Sequence, residues 1–165
     1  MAKTDFSFDK AEESTGFLLW QVTNLWQREI KKALEKYELT HSQFVLLASI
    51  HWLNDNKQNV TQILLSNYTK IDPMTTSTVL RTLQKKELIK RQEHKTDTRA
   101  KTVELTELGQ KNIKQAIKTV EQFDKLFFSS LSEKSTQFNS ELNILLTKKT
   151  AHNRGFMQLG FKSLI

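Results

Sequence analysis

The side chains of this sequence that could do chemistry are concentrated in two short polar segments, residues 74–86 and 95–101. The first segment reads MTTSTVLRTLQKK, and its candidate ligand contacts are Thr75, Thr76, Ser77, Thr78 and Arg81. The second segment reads KTDTRAK, and its candidates are Lys95, Asp97, Arg99 and Lys101. Hydroxyl groups both donate and accept hydrogen bonds, while Lys and Arg donate charge-assisted ones. Both segments therefore favour recognition of a polar, anionic partner.

The distribution of charge along the chain points to the same class of partner. The 165 residues include 25 Lys and Arg against 18 Asp and Glu, a formal net charge of +7. Residues 57–118 alone contain 13 basic and 6 acidic residues, so the rest of the chain is balanced. A basic excess confined to one block is typical of a protein surface that binds the phosphates of a nucleic acid.

Several other functional classes are excluded or disfavoured by what the sequence lacks. It contains no Cys, which excludes a disulfide framework, a thiolate zinc site and a Cys nucleophile. It has no glycine-rich phosphate loop and none of the common hydrolase or metalloprotease motifs, so we expect neither an enzyme nor a cofactor. The histidines lack the spacing that metal ligation favours, so we expect no metal at His41, His51, His94 or His152.

The apolar runs of the chain are all short, far below the roughly 18 residues that a membrane helix needs. The N-terminal residues MAKTDFSFDKAEES also lack the hydrophobic core of a secretory signal. The sequence therefore predicts a cytoplasmic protein without a membrane partner. Since it has only 4 Gly and 1 Pro, it also predicts a mostly helical fold.

Cap residues and apolar periodicity place the helices that must position the two polar segments. A long helix is predicted over residues 16–37, and a second opens with a capping box at Thr40 and Gln43. A short helix starts near Thr61. The Asp72-Pro73 pair, an N-cap followed by a first-turn proline, starts the hydroxyl-rich helix, which is expected to run to about residue 87.

The expected core-facing residues of these helices follow from the same periodicity: Phe44, Leu47, Ala48, Trp52, Ile63, Leu64, Tyr68, Val79, Leu80 and Leu83. Strands are predicted at residues 89–95 and 100–106, joined by a short turn. A long helix follows over residues 107–131, and a final helix starts at Ser132-Glu133.

This order of elements is that of a winged helix-turn-helix, in which a helix enters the major groove of duplex DNA beside a two-stranded wing. The predicted fold class is mainly α with a small β-hairpin wing, flanked by N- and C-terminal dimerisation helices. The corresponding divisions are residues 1–38, 39–107 and 108–165. The first helix is apolar on more than one side, because Phe17, Leu19 and Trp20 widen its stripe, and a second subunit is one candidate to cover it.

Three segments of the sequence resemble the MarR-type transcriptional regulators over about residues 16–131. They are LTHSQFVLLASI, IDPMTTSTVLRTLQKKELIKR and KTDTRAKTVELTELGQ, of which the last is the most specific. The resemblance implies a homodimer with winged heads, usually a repressor that responds to a small organic ligand or another signal.

The resemblance also assigns roles to individual residues. Residues 75–78 match recognition-helix positions, and Arg81 lies one turn further along. Arg99 matches a wing-tip arginine that enters the minor groove, and Asp97 matches the acid that steadies it. The family usually has Gly where this chain has Glu87, so the end of the recognition helix is expected either to change or to accept a strain of ~1 kcal/mol.

The prediction from the sequence is thus a sequence-specific regulator that binds double-stranded DNA, with Lys95 and Lys101 as phosphate contacts. Two alternatives stay open: a winged-helix module that binds an acidic protein, and a nucleoid-type protein that binds DNA without sequence preference. A pocket near His51 and Trp52 is one place for a ligand, although core packing is the commoner role of such residues.

Overall fold

The computed structural model describes residues 7–56, 58–93 and 101–147, which form six α-helices and one two-stranded sheet. In chain order these elements are α1 (Thr15–Glu35), α2 (His41–Asp55), α3 (Gln62–Thr69), α4 (Pro73–Lys85), β1 (Ile89–Glu93), β2 (Lys101–Leu105), α5 (Glu107–Phe127) and α6 (Ser135–Thr147). Short 3-10 helices precede α1 and α6 at Ala11–Glu13 and Phe128–Lys134. The predicted order, helical with a hairpin wing, is confirmed. None of the helices in this part of the chain is long and apolar enough to cross a membrane.

The chain divides into two compact units, residues 1–125 and 126–165. The first unit holds both strands and the helices from α1 to nearly all of α5, and its core is one apolar cluster. The cluster contains Ile30, Leu34, Leu39, Phe44, Leu46, Leu47, Ile50, Leu53, Val60, Leu65, Leu80, Leu83, Leu88, Ile89, Val103, Ile113, Ala116 and Val120.

The predicted helix starts are confirmed by their caps. The Thr40 hydroxyl accepts a hydrogen bond from the backbone N–H of Gln43, whose side chain accepts one from the Thr40 N–H in return. Asp72 accepts a hydrogen bond from the Thr75 N–H at 2.9 Å, and Pro73 is the first helical residue. These caps satisfy backbone donors that have no partner within their own helix.

Three helices are followed by non-glycine residues with left-handed backbone angles. The φ angles are 55° at Glu38 after α1, 61° at Lys70 after α3 and 59° at Glu87 after α4. Residues with a Cβ atom rarely adopt this region of backbone angles, and each one that does lowers the stability of the fold by about 1 kcal/mol. At Glu87 the sequence predicts that the helix end either changes or accepts backbone strain. The structure shows the strain, because Glu87 adopts the left-handed angles that glycine usually supplies at this position.

Part of the predicted core is wrong. Trp52, Ile63 and Tyr68 are 62%, 71% and 51% exposed. In α2 the buried stripe runs through Leu53, because the core-facing positions follow Leu46 and Ile50 at helical spacing, and Trp52 falls beside them. In α3, which has only eight residues, Leu65 is the fully buried side chain.

The described residues of the second unit comprise the last two residues of α5, a 3-10 helix and α6. The single helix expected over residues 107–131 ends at Phe127 instead. The helical conformation of the following segment is interrupted at Ser132, whose φ and ψ are 47° and −126°. Phe128 packs against Phe138, with ring centroids 6.3 Å apart. No residue of α6 is buried, and Leu145 and Leu146 are 59% and 61% exposed.

A polar cluster joins three helices of the first unit. The indole N–H of Trp26 in α1 donates to Asp124 Oδ1 in α5 at 2.7 Å, and the Trp26 ring meets the His41 ring of α2 edge-on at 4.8 Å. Burial lowers the pKa of His41, although the nearby Asp124 carboxylate opposes this change. Burial raises the pKa of Asp124, against the hydrogen bond from Trp26.

One glycine is required by a close approach at the start of α5. A Cβ atom on Gly109 would lie 2.0 Å from the backbone oxygen of Leu88, which is too close for any real contact. The same corner is closed by hydrogen bonds from the Thr106 N–H to Leu88 O and from the Thr106 hydroxyl to Glu87 O. The glycine of the LTELG segment thus lets α5 pack directly on the chain between α4 and β1.

We expect Gly109→Ala to destabilise the protein by roughly 1–3 kcal/mol or more, because the backbone oxygen cannot move away without shifting β1. Gly16→Ala is the matched control, since nothing lies within 4 Å of its Cβ position in α1. This control should stabilise the helix by about 0.5–1 kcal/mol. Urea unfolding of both variants measures the difference, and equal effects would contradict the steric argument.

The free energy of unfolding should depend on pH through His41. Its pKa is lowered by folding, so the unfolded chain takes up this proton first as the pH falls through about 6.5. The contribution of His41 to stability is therefore present above pH 6.5 and is lost as the pH falls toward the folded-state pKa. Urea unfolding between pH 8 and pH 5.5 should show a shallower pH dependence for His41→Gln than for the unsubstituted protein. Parallel curves would show that His41 does not carry the effect.

Candidate nucleic-acid interface

The turn between α3 and α4 is held by one backbone carbonyl. The oxygen of Ile71 accepts hydrogen bonds from the Ser66 hydroxyl at 2.7 Å and the Thr76 hydroxyl at 3.3 Å. Ser66 belongs to α3 and Thr76 to α4, so the two helices share this acceptor. Because both hydroxyls are buried, the angle between the helices depends on buried polar contacts as well as on apolar packing.

The cap of α4 adds a charge at the same turn. Hydrogen bonds from the side chain and the backbone of Thr75 lower the pKa of Asp72, so the cap stays ionised. An ionised carboxylate at the N-terminus of a helix is favoured by the helix dipole. The start of α4 is thus fixed by Asp72, Pro73 and the Ile71 carbonyl together.

Successive residues of a helix are rotated by about 100°, which separates the two faces of α4. The inner face consists of Thr76, Leu80 and Leu83, all fully buried. The opposite face has residues at spacings of four, three and four, all exposed to solvent: Met74, Thr78, Arg81 and Lys85. We call these four residues the outer stripe of α4.

The candidate contact residues of α4 differ in how exposed their side chains are. Thr75 and Thr78 are exposed, and Ser77 is half-buried and accepts a hydrogen bond from the exposed Arg81 at 3.2 Å. Thr76 is 0% exposed, and its hydroxyl is engaged by the Ile71 carbonyl. We therefore correct the expectation for Thr76: its side chain belongs to the turn and cannot reach a ligand in this conformation.

The wing is attached to the start of α3. β1 and β2 are antiparallel, with Arg91 opposite Val103, and the Val103 N–H donates to the Val60 oxygen at 2.9 Å. Arg91 Nη2 donates to Gln62 Oε1 at 3.0 Å, while its buried Nε has no acceptor among the described residues. These contacts set the direction in which the hairpin leaves the helices.

The tip of the wing carries most of the remaining candidates. Lys95, Asp97 and Arg99 lie outside the described residues. Lys101 is the first residue of β2, where its backbone pairs with that of Glu93. The contacts expected at the wing therefore stay predictions, although the strands from which they extend are in place.

The exposed surface around α4 is basic. Lys70, Lys85, Lys86 and Lys90 are exposed in addition to Arg81. The Lys86 ammonium donates to the backbone oxygen of Glu38 in the loop between α1 and α2. The basic block of the sequence thus includes cations on the outer stripe, on the turn before α4 and on the wing.

A surface cleft of about 570 Å³ lies between α1 and the start of α2. It is lined by Asn24, Gln27, Arg28, Lys31, Glu35, Glu38, Leu39, Thr40 and His41. This place differs from the one considered in the sequence, since His51 and Trp52 are not among the lining residues. Within the described residues, no group of three or more His, Asp and Glu could hold a metal ion.

Two features of the interface escaped the reasoning from sequence. Met74, 79% exposed, heads the outer stripe, and the signal for it was its position opposite Leu83 on the helical wheel. The contact between Arg91 and Gln62 joins elements 29 residues apart, so nothing local could indicate it.

Comparison with known proteins agrees with this architecture. Residues 35–124 match the family model described as ArnR1-like, winged-helix domain. The chain is 40% identical over 139 residues to YdcH of Bacillus subtilis, described as an uncharacterized HTH-type transcriptional regulator. This match covers 84% of the chain and 94% of the relative.

Solved structures share the fold. The Staphylococcus aureus MepR–DNA complex has a TM-score of 0.73 at 22% identity, covering 83% of this chain and 97% of MepR. A variant of Escherichia coli MarR with operator DNA has a TM-score of 0.71 at 22% identity, covering 79% and 92%. The family match and the relative lead to one conclusion: the chain belongs to the ArnR1-like winged-helix family of HTH-type transcriptional regulators, and it shares its fold with the MepR and MarR structures.

Proposed function

We propose that the chain is a sequence-specific DNA-binding regulator that acts as a homodimer on a pseudo-palindromic operator, most simply as a repressor. The observation that supports this function best is the outer stripe of α4, exposed along its length and set in a basic surface. A polar helical face of this kind fits the major groove, where base edges present donors and acceptors. MepR and MarR have each been solved with DNA, and we extend that partner to this chain.

In this proposal the contacts divide into two kinds. Thr75, Ser77 and Thr78 face base edges or phosphates near the start of α4, and Arg81 reaches the phosphates further along. At the wing, Arg99 enters the minor groove and is steadied by Asp97, while Lys95 and Lys101 contact phosphates. Phosphate contacts position the protein without reading the sequence, so the two kinds predict different mutant behaviour.

Dimerisation is supported by the apolar surface that one copy leaves open. On α1, Phe17, Leu18, Leu19, Trp20, Val22 and Leu25 are all between 40% and 63% exposed. An apolar surface this extensive is typical of a surface that another protein covers. On α6 the side chains of residues 144–146 are exposed as well. We propose that a second copy covers these surfaces, in keeping with the functional divisions at residues 1–38, 39–107 and 108–165.

A small organic ligand is a further part of the proposal. His41 lines the cleft between α1 and α2, and its ring contacts Trp26 of α1, whose indole N–H donates to Asp124 of α5. A ligand seated there would change the packing between a dimerisation helix and the first helix of the DNA-binding head. Such a regulator acts where bacterial DNA lies, in the cytoplasm.

In vitro selection of random duplex DNA on the purified full chain, followed by sequencing, tests the central claim. We expect an enriched inverted repeat whose half-site centres lie about one helical turn apart, because two recognition helices of a dimer meet the same side of the duplex. Sedimentation of the protein alone should give the mass of a dimer.

The alternatives give other results in the same experiment. Retention that falls steeply with salt but enriches no sequence would indicate a non-specific DNA binder. No retention at low salt would move the function to a module that binds an acidic protein. Either result would contradict the proposed reading of a specific operator.

A matched pair of threonines separates folding from DNA contact. Thr76→Val removes a buried hydrogen bond to Ile71 O, and we expect a loss of ~1 kcal/mol in unfolding free energy. Thr78→Val changes an exposed side chain, so stability should stay within about 0.5 kcal/mol. The affinity of Thr78→Val for the selected operator should fall about fivefold, which corresponds to one net hydrogen bond of ~1 kcal/mol.

Urea unfolding and a DNA-binding titration on both variants measure these effects. At temperatures where Thr76→Val is fully folded, its operator affinity should remain within twofold of the unsubstituted protein. The assignment of the outer stripe fails if the roles of the two threonines are reversed.

A further inference from the structure

The most exposed large apolar side chain of the described residues lies at the start of α4. Met74 is 79% exposed, more than Leu126 at 75% or Ile63 at 71%. It is the second residue of the helix and stands opposite Leu83 on the helical wheel, so no rotation of α4 that keeps Leu80 and Leu83 buried could cover it. Packing within this unit therefore gives no reason for an apolar residue at this position.

The neighbours of Met74 define what it would meet in a complex. Thr75 and Thr78 flank it on the exposed surface, and Arg81 follows along the outer stripe. In helix-turn-helix proteins the N-terminal residues of the recognition helix contact base edges. Met74 is thus placed where base contacts are made, with hydroxyl groups beside it and a cation about two turns further along.

The chemistry of the thioether limits what Met74 can recognise. It has no hydrogen-bond donor and only a weak acceptor, so it cannot donate to the carbonyl or ring nitrogen groups of the bases and accepts only weakly from their amino groups. The major-groove edge of a base pair carries one apolar group, the C5-methyl group of thymine. A flexible, polarizable side chain can fit around such a group without a fixed geometry.

We propose that Met74 is a specificity-determining residue that recognises the methyl group of one thymine in each half-site. This inference rests on the proposed DNA-binding function, and it adds the identity of one base that the protein recognises. Thr75 and Thr78 then supply polar contacts around an apolar one, so the first turn of α4 distinguishes thymine from the other bases at that position.

Replacement of thymine by uracil tests the contact, because uracil keeps the base pair and removes only the methyl group. Each thymine of the selected operator is replaced in turn, and the affinity of the full chain is titrated at one salt concentration. We expect one symmetry-related thymine pair at which each lost methyl weakens binding about fourfold, the equivalent of ~0.8 kcal/mol for a buried group of this size.

Variants of the protein connect that loss to Met74. For Met74→Ala the ratio of thymine to uracil affinity at this position should fall to about one, whereas Met74→Leu should keep it above two. Leu108→Ala, which removes a 53% exposed apolar side chain from α5, is the control and should leave the ratio unchanged. The thermal midpoint of Met74→Ala should equal that of the unsubstituted protein, since the side chain is exposed.

The outcomes separate this inference from the function on which it rests. An enriched operator with no uracil-sensitive thymine, or a ratio that Met74→Ala leaves intact, overturns the role of Met74 and keeps the DNA-binding function. A selection that enriches no sequence overturns both.

Discussion

The arrangement of the outer stripe of α4 depends on the shared carbonyl at Ile71. Ser66 and Thr76 both donate to it from inside the protein, one from each helix of the turn. Removing either hydroxyl leaves one helix without its polar anchor at a largely buried position. The direction of α4, and with it every side chain on the outer stripe, follows from this buried contact and from the Asp72 cap beside it.

The short connections after three of the helices contain residues with strained backbone angles. Glu38, Lys70 and Glu87 adopt left-handed backbone angles where glycine would be less costly. At Glu87 the strain is accompanied by compensating contacts, because the Thr106 hydroxyl binds its backbone oxygen and Gly109 allows α5 to approach Leu88. The wing therefore leaves α4 at a corner that α5 closes from the other side.

The surface that remains open in one copy is as informative as the core. The first two turns of α1 present large apolar side chains to solvent, while its last turns are buried through Ile30 and Leu34. The apolar side chains of this helix are thus exposed in its first part and buried in its last part, so the two parts need different packing partners. We assign the first to a second copy of the chain and find the second in the apolar core formed with α2 and α5.

The sequence by itself determined the elements whose signals are local. The capping box at Thr40, the Asp72-Pro73 start and the apolar periodicity act within one or two turns, so they could be recognised without knowing the fold. It also indicated the hairpin wing and the basic block. The tertiary structure decided which side of each helix faces inward. It buried Thr76 among the hydroxyls that looked equivalent in sequence, exposed Trp52 and placed Met74 at the head of the outer stripe. These outcomes depend on the rotation of each helix against its neighbours, which is set by contacts between residues far apart in the chain.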